Sequence, residues 1–497
     1  MGIWRALLGL LLFFSPALAA QQEHRHDTAP EKLGVVSFPT SCMPAVQLQF
    51  DRAVALLHSF AYTPAEQAFR AVAEQDPRCA MAHWGVAMTK FHQLWDPPLP
   101  PATLSVGRQE IELAQQIGTG SKREREFIDA LGLIYGDTTV PYRTRAASYE
   151  RAMKQLAAEN EKDTEAQVFY ALALLANASP TDKTHARQKQ AADLLEPLFR
   201  AYPQHPGVPH YLIHACDNAE MASRGLPAAR DYAGIAPSAP HALHMPSHIF
   251  TRLGLWQDSI ASNLAAKEAA QQQGDTGEEL HAMDYLVYAY LQSGQVTEAA
   301  GIVGQLKQMS ESRAGDFKAG YASTAMPIRL AVEQGQWTVA ASIVPPAGAP
   351  PQVVAIAVWA RGTGLARSQR SGEARHEIDM LRQIESQLRT SGNDYWATQT
   401  GILALEVSAW SAQADGKPGE AVASMREAAD TEDGIEKLPV TPGPIIPARE
   451  QLGYLLLEQK QPRPASKEFA TALTNAPGRR GALQGAAQAS SQLSAQK

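Results

Sequence analysis

The sequence predicts an all-α protein, a solenoid of antiparallel helix pairs, and three observations support this prediction. Apolar residues, many of them alanine, recur at helical spacing along nearly the whole chain of 497 residues. No stretch of the sequence alternates apolar and polar β-branched residues in the way that strands do. Short breaks rich in glycine, proline, asparagine and aspartate separate the helical segments, so successive helices must run antiparallel to each other.

Residues 1–19 have the features of a secretory signal peptide, which is removed and does not belong to the fold. Arg5 provides the positive charge, residues 6–14 are apolar, and residues 17–19 form a small-x-small cleavage signal. The apolar run is too short to cross a bilayer, although a retained membrane anchor is the alternative. The sequence therefore predicts an exported protein, periplasmic or secreted, without a membrane span. Residues 20–45 are expected to form an extended N-terminal segment.

Charge and motifs exclude several functions. The net charge is −7, and no basic block is available to neutralise phosphates, so nucleic acid is not an expected partner. A phosphate-binding glycine loop, a nucleophile elbow and a Cys-x-x-Cys pair are all missing from the sequence. The function must therefore be sought in other groups of polar side chains.

The most regular part of the sequence lies near its end. Leu452 and Gly453 are followed by Ala465, Phe469 and Pro477 at the offsets of a 34-residue helix pair. The small residue lets two helices approach, the alanine and phenylalanine fill the groove between them, and the proline ends the second helix. The same offsets recur near the start of the array at Ala53, Leu56, Ala65, Phe69, Val72 and Pro77. In these residues the chain resembles the tetratricopeptide repeat superfamily.

The resemblance implies a right-handed solenoid with a concave groove that holds a protein, a peptide or a small-molecule ligand. We assign residues 46–343 to a front helical array and residues 352–479 to a rear array. The proline-rich segment 344–351 is expected not to be helical and is interpreted as an elbow between them. Residues 480–497 are rich in alanine, glutamine and serine and are expected to form a weak C-terminal cap.

The register of these repeats also suggests a disulfide. Cys42 precedes the first helix of one pair, and Cys79 lies near the start of the first helix of the next pair. Helix starts of stacked pairs are neighbours, so a Cys42–Cys79 bond is reasonable in an oxidising compartment, and two free buried thiols are the alternative. Cys216 is expected to be a buried, inert thiol.

Two histidine pairs stand out in the middle of the sequence. His210 and His214 are four residues apart, as are His244 and His248, and residues at this spacing share one face of a helix. The two pairs are separated by 34 residues, which is one repeat period, so they are expected at equivalent positions on adjacent parallel helices. Each pair then suits the binding of one metal ion.

The same helical stripe carries further polar residues. Counting from the helix-ending glycines adds His241 in the same repeat, Asp217 in the preceding repeat, and His281, Asp284 and Tyr288 in the following repeat. By the resemblance, this stripe lines the concave groove. The two carboxylates are candidates for direct ligands or for groups that orient an imidazole from behind.

These donors suit a transition metal such as zinc, copper or iron. We therefore expect a groove that binds metal, with the alternatives of a polar groove for an organic or peptide ligand and of simple repeat drift. The function predicted is that of a binding protein, and the other possibility is a metal-dependent hydrolase or oxidoreductase. The expected metal ligands are His210, His214, His244, His248 and Asp217, and the expected ligand-binding residues are His241, His281, Asp284 and Tyr288.

Overall fold

Helices joined by short turns make up the computed structural model, which describes residues 31–94, 99–306, 308–309 and 317–495. The predicted all-α solenoid fold is confirmed within these ranges. The signal peptide predicted for residues 1–19 and the first part of the segment after it lie outside them. None of the described helices is both long enough and apolar enough to cross a bilayer.

The front part of the chain forms sixteen of the described helices, most of which pack on the helix that follows. Aspartates cap several of them: the side chain of Asp163 accepts hydrogen bonds from the backbone at the start of one helix, and Asp275 does so at another. The helices are α1 (Gln47–His58), α2 (Tyr62–Gln75), α3 (Ala80–Thr89), α4 (Pro101–Ile117), α5 (Lys122–Tyr135), α6 (Tyr142–Glu159), α7 (Thr164–Ala176), α8 (Ala186–Ala201), α9 (Gly207–Cys216), α10 (Ala222–Ile235), α11 (Pro240–His244), α12 (Pro246–Arg252), α13 (Trp256–Gln273), α14 (Thr276–Gln292), α15 (Val296–Leu306) and α16 (Phe317–Glu333).

The remaining helices begin with α17, which is a single short turn. They are α17 (Trp337–Ala340), α18 (Pro351–Arg367), α19 (Ser371–Thr390), α20 (Asp394–Ala414), α21 (Pro418–Asp433), α22 (Ala448–Glu458), α23 (Pro462–Asn475) and α24 (Arg480–Ala495). The proline-rich segment is not helical until Pro351, which begins α18. One buried apolar cluster continues across this segment, since Ile328 on its front side belongs to the same cluster as Trp359 on its far side.

Glycines allow the close helix contacts that the repeat pattern predicts. A Cβ atom added to Gly453 would lie 2.6 Å from the ring of Phe469, and one added to Gly85 would lie 2.3 Å from the ring of Phe69. Both phenylalanines are fully buried. Gly453 thus lets the two helices of one pair touch, and Gly85 lets α3 touch the last helix of the preceding pair, at points where only glycine fits.

Replacing Gly453 by alanine is expected to destabilise the protein by about 1–3 kcal/mol, because the added methyl group overpacks the contact with Phe469. Gly304 provides the matched control, since it also lies inside a helix but a Cβ atom there would meet nothing within 4 Å. Gly304→Ala should stabilise the protein by about 0.4–1 kcal/mol through its higher helix propensity. Denaturant unfolding of the two variants measures both effects, and a Gly453→Ala protein as stable as the parent would contradict the packing argument.

The N-terminal part of the described chain packs on the front helices. The backbone N–H of Val35 donates to the carbonyl of Gln204 at 2.8 Å, and the ring of Phe38 is fully buried. The sulfur atoms of Cys42 and Cys79 lie at bonding distance, with their Cα atoms 4.7 Å apart. Cys216 is buried, and burial raises the pKa of its thiol to about 12, so it is an unreactive thiol at neutral pH.

A long connection between α21 and α22, residues 434–447, crosses from the rear helices to the front helices, and we call it the crossing segment. The backbone N–H of Glu436 donates to the carbonyl of Pro180 at 2.7 Å, and the carbonyl of Pro439 accepts from the hydroxyl of Tyr285 at 3.2 Å. Two partners of the crossing segment thus lie more than 150 positions away in the sequence. It joins parts of the solenoid that nearest-neighbour stacking alone would leave apart.

The C-terminal helix makes a second long-range contact. The backbone of Gly478 lies against that of Gly254, and the indole N–H of Trp256 donates to the carbonyl of Gly478 at 3.2 Å. The backbone N–H of Arg480, the first residue of α24, donates to the side chain of Gln292. The chain from Gly478 into α24 therefore contacts both α13 and α14.

Candidate metal centre

Four helices carry the histidine cluster. Helix α9 contributes one of the predicted histidine pairs, and helices α11, α12 and α14 contribute the other histidines. The bonding nitrogens of these residues form two groups of three, and within each group all three ligand atoms lie within 4.8 Å of one another. We call the first group triad A, which consists of His210, His214 and His241, and the second group triad B, which consists of His244, His248 and His281.

Triad A combines the first predicted pair with a histidine from the next repeat. The Nε2 atoms of His210 and His214 are 3.2 Å apart. The ring of His241 lies 5.1 Å from the ring of His210, measured between centroids. The ring of Phe60 packs within 6 Å of all three imidazoles and forms an apolar wall beside them. The sequence predicted the pair and the stripe, but not this phenylalanine.

Triad B combines the second predicted pair with a histidine from α14. The Nε2 atoms of His244 and His248 are 3.0 Å apart, and the ring of His281 lies 4.3 Å from that of His244. The Nδ1 atom of His281 is buried and has no hydrogen-bond partner among the described residues. The hydroxyl of Tyr285 lies 3.5 Å from the Nε2 atom of His248. Triad B is therefore a compact, enclosed group of nitrogen donors.

Hydrogen bonds on the outer side of triad B fix which nitrogens carry hydrogens. The Nδ1 atom of His248 lies 2.9 Å from a carboxylate oxygen of Asp217, which can only accept, so this nitrogen must be the donor. The Nδ1 atom of His244 lies 2.6 Å from the amide oxygen of Asn263, whose NH₂ group donates to the carbonyl of Ser259. Each ring, when neutral, then directs the lone pair of its Nε2 atom at the other ring. Two lone pairs 3.0 Å apart repel unless a cation lies between or beside them.

The same assignment holds for two members of triad A. The Nδ1 atom of His210 faces the backbone carbonyl of His58, and the Nδ1 atom of His241 lies 3.2 Å from a carboxylate oxygen of Glu278. Both oxygens can only accept, so both Nδ1 atoms donate and both Nε2 atoms are left as lone-pair donors. Histidine ligands of metals typically make this second hydrogen bond, which fixes the ring and its tautomer.

Burial lowers the pKa of five of these imidazoles and keeps them neutral. Desolvation lowers the pKa of His210, His214, His244 and His281 well below the ordinary value. Desolvation also lowers the pKa of His248 to about 4, although its bond to Asp217 acts in the opposite direction. A neutral imidazole is the form that binds a metal ion, so the cluster needs no proton loss at neutral pH.

Asp217 lies behind triad B and connects it to the crossing segment. Its carboxylate accepts from His248, from Arg252 at 2.8 Å and from Lys437 at 2.8 Å. Burial alone would raise the pKa of this carboxyl, but the two cations outweigh burial and hold the pKa well below its usual range. Asp217 therefore faces the Nδ1 atom of His248, on the side of the ring away from His244, and its role as a direct ligand or as an orienting group stays a prediction.

The two remaining predicted residues lie apart from the triads. The carboxylate of Asp284 pairs with the guanidinium of Arg329 at 2.9 Å, and both side chains are buried. The ring of Tyr288 packs beside Trp256 and beneath the guanidinium groups of Arg329 and Arg479. Both residues follow His281 on its helical stripe, but Asp284 contacts Arg329 of α16 and Tyr288 contacts Trp256 of α13.

A third histidine group, which the sequence argument did not single out, is a hydrogen-bonded network. His58 and His205 each lie within 2.9 Å of the carboxylate of Glu165. The Nδ1 atom of His205 accepts from the backbone of Gly207, so its Nε2 atom carries the hydrogen and donates to Glu165. The Nδ1 atom of His58 contacts the hydroxyl of Tyr211 at 3.0 Å. Hydrogen bonds engage both ring nitrogens of each of these two histidines, so this group differs from the two triads.

A cavity of about 1280 Å³ lies beside the cluster. Of the predicted site residues, His214 and Asp217 line it, and Lys437 of the crossing segment lines it as well. The other five histidines of the triads are buried. The imidazoles expected to line a concave groove thus form a buried cluster that reaches the cavity through His214 of triad A.

The comparisons with known proteins show low similarity. No protein-family model matches this chain, and no curated protein does. Among solved structures, the chain is similar to yeast Tom70, with 10% identity, 89% of this chain and 88% of that chain covered, and a TM-score of 0.34. It is also similar to the Cut9–Hcn1 hetero-tetramer of the APC/C, with 10% identity, 89% of each chain covered and a TM-score of 0.31. The P58(IPK) TPR domain shows 11% identity, 91% and 99% coverage, and a TM-score of 0.23. Likenesses at these TM-scores carry no inference about function.

Proposed function

We propose that this chain is an exported, periplasmic or secreted, binding protein whose solenoid holds a transition metal in a histidine cluster beside a ligand cavity. Nitrogen donors in groups of three suit zinc, copper or iron. The cavity offers space for a small molecule or for a peptide segment next to the cluster. The proposal thus combines two features, a metal site and the concave binding surface that helical repeats provide.

One observation carries the proposal. The Nε2 atoms of His244 and His248 face each other at 3.0 Å, while the Nδ1 atom of each ring donates to an acceptor of its own. A purely structural network would place a donor opposite each acceptor, as the third histidine group does. Two buried lone pairs aimed at one point instead match the arrangement that a cation completes.

A second candidate function is a metal-dependent hydrolase or oxidoreductase. It is supported by the position of His214, which belongs to triad A and also lines the cavity. A metal ion with three protein ligands and one open position can bind or polarise a molecule that enters from such a space. Turnover of an added substrate only when metal is present would distinguish this candidate from simple binding.

Elemental analysis tests the metal proposal. The full chain, purified without an affinity tag, is expected to contain stoichiometric zinc, copper or iron. The double variant His214→Gln/His248→Gln removes one nitrogen donor from each triad and should lower the metal content by about tenfold or more. Glutamine keeps much of the side-chain volume and polarity, and circular dichroism checks that the variant folds.

His376 provides the control, because it is an exposed histidine on α19, far along the chain from both triads. His376→Gln should leave the metal content unchanged. The metal proposal is abandoned if the parent protein binds no transition metal after incubation with each of the three ions. It is also abandoned if the double variant retains the parent's metal content.

A further inference from the structure

We infer that the cluster holds two metal ions, one in each triad, and that the ion of triad A takes a small anionic ligand from the cavity. The inference rests on the proposed metal binding and extends it to the number of ions, their inequivalence and the class of exogenous ligand. It follows from the grouping of the nitrogens, from the charges around them and from the position of the cavity.

The nitrogens form two sets that do not merge into one. Within each triad the ligand atoms lie within 4.8 Å of one another, which is the spread that a single ion can gather by small side-chain rotations. The separation rests on this grouping of the ligand atoms, because ring-centroid distances between triads, 5.9 Å for His214 and His248, are no longer than the 6.5 Å between His248 and His281 within triad B. Three nitrogens per ion is the usual number at sites that keep one position open.

The charges near the cluster leave two divalent ions without a negative partner. The six imidazoles are uncharged ligands. The carboxylates behind them are already paired, Asp217 with Arg252 and Lys437, and Glu278 with Lys318. The protein side chains around the ions therefore supply little net negative charge. A small anion, such as hydroxide, a carboxylate or an azide probe, would balance the charge of the ions.

Access distinguishes the two triads. His214 is partly exposed and lines the cavity, whereas the three histidines of triad B are buried. The cavity volume of about 1280 Å³ is far larger than a small anion requires. An added anion should reach the ion of triad A directly, while the ion of triad B stays closed to it.

Copper loading and azide titration test the inference on the full chain. The protein is loaded with Cu(II), desalted and analysed, and we expect two tightly held copper ions per chain. Azide is then expected to produce one charge-transfer absorption band at a stoichiometry of one azide per chain. His281→Gln should remove the copper of triad B and keep the azide band, whereas His214→Gln should remove the copper of triad A together with the band.

The outcomes distinguish a failure of the proposed metal binding from a failure of the two-ion inference. A chain that retains no copper, zinc or iron overturns the proposed function itself. A chain that retains one copper overturns the pair of ions but leaves metal binding intact. Two copper ions with an azide band that survives His214→Gln, or with no band at all, overturn the assignment of the open ion to triad A.

Two controls exclude other copper sites. His24 and His26 lie outside the described residues, and a His24→Gln/His26→Gln variant removes any copper bound near the N-terminus. His376→Gln removes the exposed histidine of α19. Both variants should retain two copper ions and the azide band. Loss of one ion in either control would contradict the assignment of both ions to the triads.

Discussion

Replacing Arg329 by methionine is expected to lower the free energy of unfolding by about 3–5 kcal/mol, the largest effect on stability that we predict. The guanidinium is fully buried and donates to Asp284 at 2.9 Å. It also donates to the crossing segment, to the carbonyls of Gly443 and Pro444 and to the hydroxyl of Thr441, each at 3.0 Å. Methionine leaves the carboxyl of Asp284 buried without its cation. Denaturant unfolding at neutral pH measures the loss.

Two further variants show whether the loss comes from the buried charge. In the double variant Asp284→Asn/Arg329→Met no charge is left behind, so its loss should be smaller than that of Arg329→Met alone. Arg370 is a surface arginine paired with Glu373, and Arg370→Met should leave the stability almost unchanged. Equal losses in the single and double variants would refute the charge argument and assign the effect to the contacts with the crossing segment.

Asp217→Asn is expected to weaken the binding of metal by triad B by about 10–100-fold. Asparagine can still accept the hydrogen bond from His248, but it lacks the negative charge that makes this imidazole a stronger donor. It also leaves Arg252 and Lys437 without their shared carboxylate. Titration against a chelating competitor measures the affinity of the full chain, and unfolding of the metal-free protein measures the change in stability separately.

Asp258→Asn is the matched control for this prediction. Asp258 also pairs with an arginine, Arg230, but both side chains are exposed and lie outside the triads. Its replacement should leave metal affinity unchanged. If Asp217→Asn binds metal as tightly as the parent does, the orienting role of this carboxylate is wrong, whatever the change in stability.

Local periodicity was sufficient to predict the helix pairs and part of the site. The contact of Gly453 with Phe469 follows from fixed offsets, because both residues belong to one helix pair. His244 and His248 are likewise four residues apart, at the end of α11 and within the short α12 that follows it, and their Nε2 atoms lie 3.0 Å apart. Such relations involve residues close in sequence, and helical geometry alone determines them.

Relations between distant residues could not be predicted in this way. A helical wheel gives the direction of a side chain but not the layer in which it ends. Asp284 therefore shared a predicted stripe with His281, yet it pairs with Arg329 on α16. The contact of Lys437 with Asp217 comes from an irregular connection 220 positions further along the chain, which carries no periodic signal. The same segment contributes Lys437 to the lining of the cavity beside the cluster.

The crossing segment and the anchored last helix have a consequence for how the protein is made. Helical-repeat arrays usually assemble stepwise, each repeat stabilised mainly by its neighbours, so they tolerate trimming from one end. Here Lys437 of the crossing segment contacts Asp217 behind triad B, and the turn at Gly254 packs against Gly478. The contact of Lys437 with Asp217 thus cannot form until the crossing segment has been synthesised. Melting should accordingly be one cooperative event and not a progressive fraying.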